Sequence, residues 1–425
     1  MGTRVVIVVP GLLGSVMALG GKTIWPAPLS AFVFGFPYMD ELLDPDLAPV
    51  GLIESYGLLP LYDALFADLA ALGFDRHAQP PTLVPFPYDW RRSMRRTSVL
   101  LLDEIAKVVA EIPDAEITLL GHSMGGLLVR TVLETEPFRD HPALAHVTQV
   151  ISMGTPHRGA VNLLGGLLGR SGSLWLSAAQ AQKLGNDPRY PAAYELLPAP
   201  WEPWLWRSTW RATSVQDQPG LVEKLGLVAS SVESGREFWG KLRDGQPRPG
   251  IAWFNFVGTR HRTINHAALV GTDDVALVTA EDGGDGSVPV WSAGLPWSPT
   301  LPVAGEHMTL FRSGSVRQGL HALLGTGPAL AAIVDLSLPT RASRPGRELP
   351  VLLDLVDPEH DAPGVLRLED PAGRTVGADL PVARPHRTRV DLRVTAPDAP
   401  GEYRLAYYRA GEPVPAAVEQ LLVRV

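Results

Sequence analysis

The sequence predicts an α/β domain with a parallel sheet and an inserted cap, followed by a C-terminal all-β sandwich. Three observations lead there. Apolar β-branched runs alternate with helically spaced stretches up to about residue 150. The alternation stops between about 160 and 250, where Gly, Trp and Pro crowd the chain. After about residue 330, short alternating runs separated by turn signals take over. The expected division is therefore a domain over 1–329, with its cap at about 160–250, and a sandwich over 330–425.

Each element has its own reason. Arg4–Val9 reads RVVIVV and ends in Pro10-Gly11, the pattern of a buried central strand and a tight loop. A secretory leader would also be apolar here. Pro10, Gly11 and Gly14 interrupt the run, and no small-residue cleavage site stands out. Leu61–Leu72 has apolar residues at 61, 65, 69 and 72 and stops at Gly73, which predicts a helix. Thr82–Phe86 is a strand, and Val99–Ile112 a helix stopped by Pro113. Glu116–Leu120 is a strand, Met124–Glu134 a helix and Val147–Met153 a strand. That order implies helices on both faces of a parallel sheet.

Six of the eleven tryptophans follow: Trp175, Trp201, Trp204, Trp206, Trp210 and Trp239. We read this stretch as the cap. Ile251–Val257 and Leu301–Val303 resume the sheet, and a helix at Ser315–Leu324 closes the domain. Val351–Val356, Gly364–Leu368, Thr388–Val394, Tyr403–Tyr408 and Val418–Val425 are strands of an immunoglobulin-like sandwich.

Composition narrows the chemistry. With 45% apolar and 19% charged residues, the chain can bury a core, which excludes a disordered protein. It has no cysteine, which removes Cys nucleophiles, disulfides, Cys-ligated zinc and iron–sulfur clusters. This tilts the expected location towards the cytoplasm, with at most a peripheral membrane contact. A net charge of −8 argues against nucleic acid and against a polybasic anchor. No apolar run approaches the ~18 residues of a membrane-spanning helix.

The strongest motif is Gly121-His122-Ser123-Met124-Gly125, with an apolar strand before it and a helix after it. This is a nucleophile elbow: a sharp turn that lifts the Ser123 hydroxyl above the sheet. No Gly-Lys-Ser/Thr follows, so a phosphate loop is excluded. Serine is a poor nucleophile at neutral pH and needs a base and an orienting acid, in the chain order Ser, acid, His. His307, after a short strand and before a helix, is the expected base; His122 and His157 are weaker candidates. Asp285, in the loop from Glu281 to Pro289, is the expected acid, with Asp282 as fallback. The loop lacks a calcium-binding register, and no metal or cofactor is expected. Backbone N–H groups of Leu12 and Met124 are the expected oxyanion donors. Trp25, Trp175, Trp201 and Trp204 are candidate acyl-contacting residues. Leu163–Leu176 is a candidate for touching a membrane surface transiently.

Five separated segments together resemble one family. They are Pro10–Ser15, Pro87–Arg91, Gly121–Gly125, Gly154–Gly159, and Gly284–Val288 with Glu306-His307. The set is similar to the lecithin:cholesterol acyltransferase family, with its lysosomal phospholipase A and phospholipid:diacylglycerol acyltransferase branches. The resemblance implies an α/β-hydrolase fold, a Ser123–Asp285–His307 triad, a mobile lid and chemistry on phospholipid acyl esters. It covers about residues 5–310 and leaves the C-terminal segment unmatched. There are departures. Secreted members carry disulfides, one bracing the lid, and some branches have an acidic residue at the position of Leu12. From its place before a helix, Asp89 of Tyr88–Arg91 can cap that helix, and a structural role for it stands beside a catalytic one.

The expected function is a serine acyl-ester hydrolase of phospholipid or other lipid esters, with acyl transfer to an alcohol as a variant. One rival is a small-ester or thioester hydrolase with the same triad. Another is an effector whose C-terminal sandwich binds a protein partner.

Overall fold

Val5 to Val9 are wholly shielded from solvent in strand β1 (Thr3–Val9). Both faces are covered, and the side chains divide by parity. Val5, Ile7 and Val9 join one core with helices α2 (Met94–Glu111) and α3 (Met124–Glu134). Val6 and Val8 join a second core with α1 (Tyr62–Ala71) and α4 (Gly314–Leu324). A period of two is what a strand between two helical layers requires.

The computed structural model describes residues 2–27, 36–56, 59–172, 175–206, 212–244, 248–325, 334–338, 342–355, 364–382, 389–409 and 415–424. The expected boundary at 329/330, Trp210, and the C-terminal His360 and His386 lie outside them.

Five further strands complete the central sheet: β2 (Leu83–Pro85), β3 (Ala115–His122), β4 (Val147–Met153), β5 (Ala252–Thr259) and β6 (Thr300–Ala304). All are parallel, in the order β6-β5-β4-β3-β1-β2. The order reverses at β1, which lies between β2 and β3. In an open parallel sheet, the crevice beyond the strand ends at such a reversal is where ligands bind. The loops after β1 and β3 meet there, and they are the Pro10–Gly14 turn and the Ser123 elbow.

Two local expectations change. Helix α2 begins at Met94, ahead of the expected Val99, because the Ser93 side chain accepts the Arg96 N–H. That satisfies a first-turn donor, and the exposed Arg95 and Arg96 hide the start from an apolar pattern. Asp89 does not cap the helix. Its carboxylate grips the guanidinium of the buried Arg91 through two bonds of 2.8 Å and also receives Arg92. Ser93 holds the cap position, and Asp89, four residues earlier, also accepts the Arg91 backbone N–H (3.1 Å).

The cap has its own core, in which Leu164, Trp204, Leu205, Leu221 and Val232 meet Ala267 and Val275. The last two come from a hairpin, His261–Val270 with Asp274–Gly284, that no sequence pattern announced. Leu205–Trp206 adds to it in parallel. The chain thus leaves the sheet again after β5, and the cap layer takes in residues beyond 250. Polar residues and two register shifts break the hairpin's alternation.

One buried carboxylate ties the cap to the sheet domain. Glu195 accepts the Met94 N–H at the start of α2 (2.6 Å) and the Ser234 hydroxyl (2.8 Å). Burial, against the Met94 and Ser234 bonds, raises its pKa from the usual 4.5 to about 7. The folded state therefore holds the extra proton, and this contribution is full below pH 4.5 and lost as pH rises through about 7. Glu195→Gln can accept the Met94 N–H on its amide oxygen and donate its amide N–H to the Ser234 oxygen, without a charge. It is expected to stabilise the protein at pH 8 by on the order of 2 kcal/mol and to leave pH 4 nearly unchanged. Urea unfolding at both pH values checks this; equal pH profiles for parent and variant refute it.

After α4 the described chain forms two β sheets. One holds Val334–Ser337, Glu348–Leu355 and Arg389–Thr395, and the other has five strands with Gly401–Arg409 at its centre. Leu349, Val351 and Leu353 of the first share one core with Tyr403, Leu405 and Tyr407 of the second. The alternation is the sequence pattern made physical.

Candidate active site

Ser123 follows β3 and precedes α3 with φ 53° and ψ −125°. A side chain rarely tolerates this backbone, so neighbours must impose it. Its N–H donates to Met153 O (2.9 Å), and its carbonyl accepts the Gly126 N–H (3.1 Å). The flanking glycines are obligatory on contact grounds. A Cβ at Gly121 would lie 2.6 Å from Gly126 Cα, and one at Gly125 would lie 2.2 Å from the Val9 carbonyl.

The structure brings three of the expected residues into one line. His307 Nε2 is 2.8 Å from Ser123 Oγ, and His307 Nδ1 is 2.8 Å from Asp285 Oδ2. All three are buried. The other Asp285 oxygen accepts the Ser287 (3.0 Å) and Val288 (2.7 Å) N–H groups, so the carboxylate cannot rotate freely. The His307 N–H donates to the Asp285 carbonyl (2.9 Å). Asp282, the fallback acid, is exposed on the hairpin. Gly154, at φ 55°, leaves room for the acid: a Cβ there would lie 2.9 Å from Asp285 Oδ2.

Burial pushes the His307 pKa down, but the Asp285 charge and hydrogen bond, with the Glu306 charge, outweigh it. The imidazole is held above its ordinary 6.5. A protonated His307 cannot take the Ser123 proton. The acid limb of kcat/KM is therefore expected above the ordinary histidine value. A pH–rate profile for a soluble ester checks it; a midpoint below 6.5 contradicts it.

The loop after β1 is pinned by three aromatic side chains. Trp25 Nε1–H donates to Leu13 O (2.9 Å), Tyr88 Oη–H to Pro10 O (2.8 Å), and Tyr62 Oη accepts the Gly11 N–H (2.9 Å). Leu13 sits at φ 67°. The loop presses on the nucleophile, since a Cβ on Gly11 would lie 2.7 Å from Ser123 Cβ. Leu12 stands in this loop, and Met124 opens α3, where a first-turn N–H has no intrahelical acceptor.

A cavity of about 390 Å³ is lined by Ser123, His307 and Leu12 and walled by Leu163, Leu167, Leu176, Leu184 and Leu196. The Leu163–Leu176 stretch, expected as a membrane-touching surface, thus turns leucines to this cavity. None of the four candidate tryptophans is among its lining residues. Trp25 is buried behind the loop it holds, with its ring 4.9 Å from that of Trp175. Trp204 belongs to the cap core. Trp201 is 42% exposed, beside Trp239 and the Arg243 guanidinium. The aromatics that do line the cavity are Trp90 and Tyr190, beside the leucines.

Two further histidines are accounted for. His157 is buried with Nε2 3.1 Å from Ser152 Oγ, and burial followed by the Arg130 charge holds it well below the usual range. His122 lies against the triad: its ring is 5.2 Å from that of His307, and it bonds to Tyr62 and to the His307 carbonyl. Tyr62 was missed from the sequence because nothing in a helix start announces a contact 60 residues away.

Residues 51–214 match the lecithin:cholesterol acyltransferase family model. The resemblance carried by the motifs therefore holds over this span, and lecithin:cholesterol acyltransferase proteins have an α/β-hydrolase fold. The matched span contains Tyr88–Arg91, Ser123 and Gly154–Gly159 and ends before Asp285 and His307. No curated protein matches the chain. Among solved structures, the sulfur carrier protein SoxY from Chlorobium limicola f thiosulfatophilum is 16% identical. That alignment covers 25% of this chain and 94% of SoxY, with a TM-score of 0.15. An iodinated complex of acetyl xylan esterase is 12% identical over 37% of this chain and 66% of its own, with a TM-score of 0.19. Scores this low carry no argument about this fold.

Proposed function

We propose that the chain is a serine hydrolase of lipid acyl esters, phospholipids foremost, working through an acyl-enzyme on Ser123. The observation that carries this reading is the unbroken Ser123–His307–Asp285 hydrogen-bond line at a leucine-walled cavity. Ser123 Oγ attacks the ester carbonyl as His307 Nε2 takes its proton. Asp285 holds the His307 tautomer and stabilises the imidazolium. The Leu12 and Met124 N–H groups receive the developing oxyanion. His307 then returns the proton to the leaving alcohol. Water, or a lipid alcohol, releases the acyl group by the reverse sequence. The family match over residues 51–214 supports lipid esters as the substrate class. The two C-terminal sheets on one core support an immunoglobulin-like sandwich.

The test is incubation with mixed phospholipids and mass spectrometry of the products, with Ser123→Ala as the blank. Free fatty acid, lysophospholipid or a new acyl ester that appears only with the parent protein is expected. Equal products from both proteins, or turnover of short esters alone, would overturn the lipid reading.

A further inference from the structure

A second hydrogen-bond line runs behind the nucleophile. The Gly11 N–H donates to Tyr62 Oη (2.9 Å), Tyr62 Oη lies 2.7 Å from His122 Nδ1, and His122 Nε2 lies 2.9 Å from the His307 carbonyl. The proton positions follow from elementary rules. A carbonyl only accepts, so Nε2 carries the His122 proton. Nδ1 is then bare and accepts from the Tyr62 hydroxyl. The line starts in the loop after β1 and ends on the main chain of His307, whose N–H is in turn tied to Asp285 (2.9 Å).

Both side chains are buried, and the Phe311 ring packs against each. Burial, then the His307 charge, pushes His122 down to about 3. The relay imidazole therefore stays neutral at working pH. A second cation beside His307 would oppose the imidazolium that acyl transfer needs.

We propose that Tyr62 and His122 are positioning residues that set the oxyanion loop and the base in one register about Ser123. This rests on the acyl-transfer reading above. With the Gly11 N–H committed to Tyr62, the loop is held and the next N–H, that of Leu12, is left for the oxyanion. At the other end, the bond to the His307 carbonyl anchors the main chain that carries the base. Donors fixed in advance need no reorganisation as charge develops. A displacement of ~1 Å at such a site costs on the order of 10² in rate.

Tyr62→Phe removes the hydroxyl and keeps the ring that packs on Phe311. With a medium-chain p-nitrophenyl ester, it is expected to lower kcat by about 10- to 100-fold at nearly constant KM. Labelling of Ser123 by a fluorophosphonate should slow by a similar factor in protein that circular dichroism shows to be folded, with a thermal midpoint lowered by the unpaired Gly11 N–H and His122 Nδ1. His122→Gln presents an amide N–H to the His307 carbonyl, so it should retain more kcat than His122→Leu.

A kcat in Tyr62→Phe within about twofold of the parent overturns the proposal, as does a loss that only tracks the folded fraction by circular dichroism. Should Tyr62→Phe not fold, the two His122 variants decide: equal kcat refutes the relay. Ser123→Ala is run alongside. If it retains turnover, the acyl-transfer reading itself fails; if it is inactive while Tyr62→Phe is unimpaired, only the relay fails.

Discussion

Ser123→Ala is expected to lower ester turnover by a factor on the order of 10⁶, and His307→Ala by a comparable one. The Ser123 hydroxyl is 2.8 Å from His307 Nε2, and the attack uses both groups at once. Removing either leaves the other idle, so the double variant should be little worse than each single one. The remaining rate, about 10³–10⁴ above water, would come from the oxyanion donors and substrate binding. Both substitutions remove atoms without adding any, and the alanine that replaces Ser123 must still adopt φ near 53°. Circular dichroism therefore accompanies the assay of fatty acid release. Activity close to the parent's in folded Ser123→Ala sinks the assignment of the nucleophile.

Asp285→Asn is the second large effect, expected on the order of 10⁴ in kcat. The local hydrogen bonds dictate how it acts. Asp285 Oδ1 takes two backbone N–H groups, from Ser287 and Val288. An asparagine must leave its oxygen there and turn its amide N–H₂ to His307. Nδ1 then has to accept, which puts the imidazole proton on Nε2, facing Ser123 Oγ. A base that carries its proton on that side cannot take another. The substitution also removes the charge that raises the His307 pKa, so the acid limb of the pH profile should move down. Steady-state kinetics across pH test both points. A loss below about tenfold would show that another group orients His307.

The legible parts of the sequence were those in which chemistry is local. The RVVIVV run between two turn signals could be little other than a buried strand, and Ser123 between Gly121 and Gly125 needed a strand-turn-helix to make sense. Contacts across the fold explain why those glycines are there: Val9 and Gly126 leave no room for a Cβ. The hairpin from His261 to Gly284 was illegible for the opposite reason. Its polar residues and register shifts blur the alternation that marks a strand. Asp89 illustrates a misplaced boundary: the helix starts at Met94 under Ser93, so the Asp89 carboxylate is left to the Arg91 guanidinium.

The sequence by itself determined the sheet-and-helix order, the elbow at Ser123 and the three motifs, Pro87–Arg91, Gly121–Gly125 and Gly154–Gly159, that lie within the match over residues 51–214. These depend on residue type and near spacing, which the chain displays directly. Only the tertiary structure decided that His307 and Asp285 meet Ser123, that Trp25 holds a loop while leucines line the cavity, and that Tyr62 and His122 span the gap behind the nucleophile. Those side chains lie tens to hundreds of residues apart along the chain. Their distances are set by how strands order in the sheet and how aromatic rings fill the space beneath it, and no local pattern encodes either.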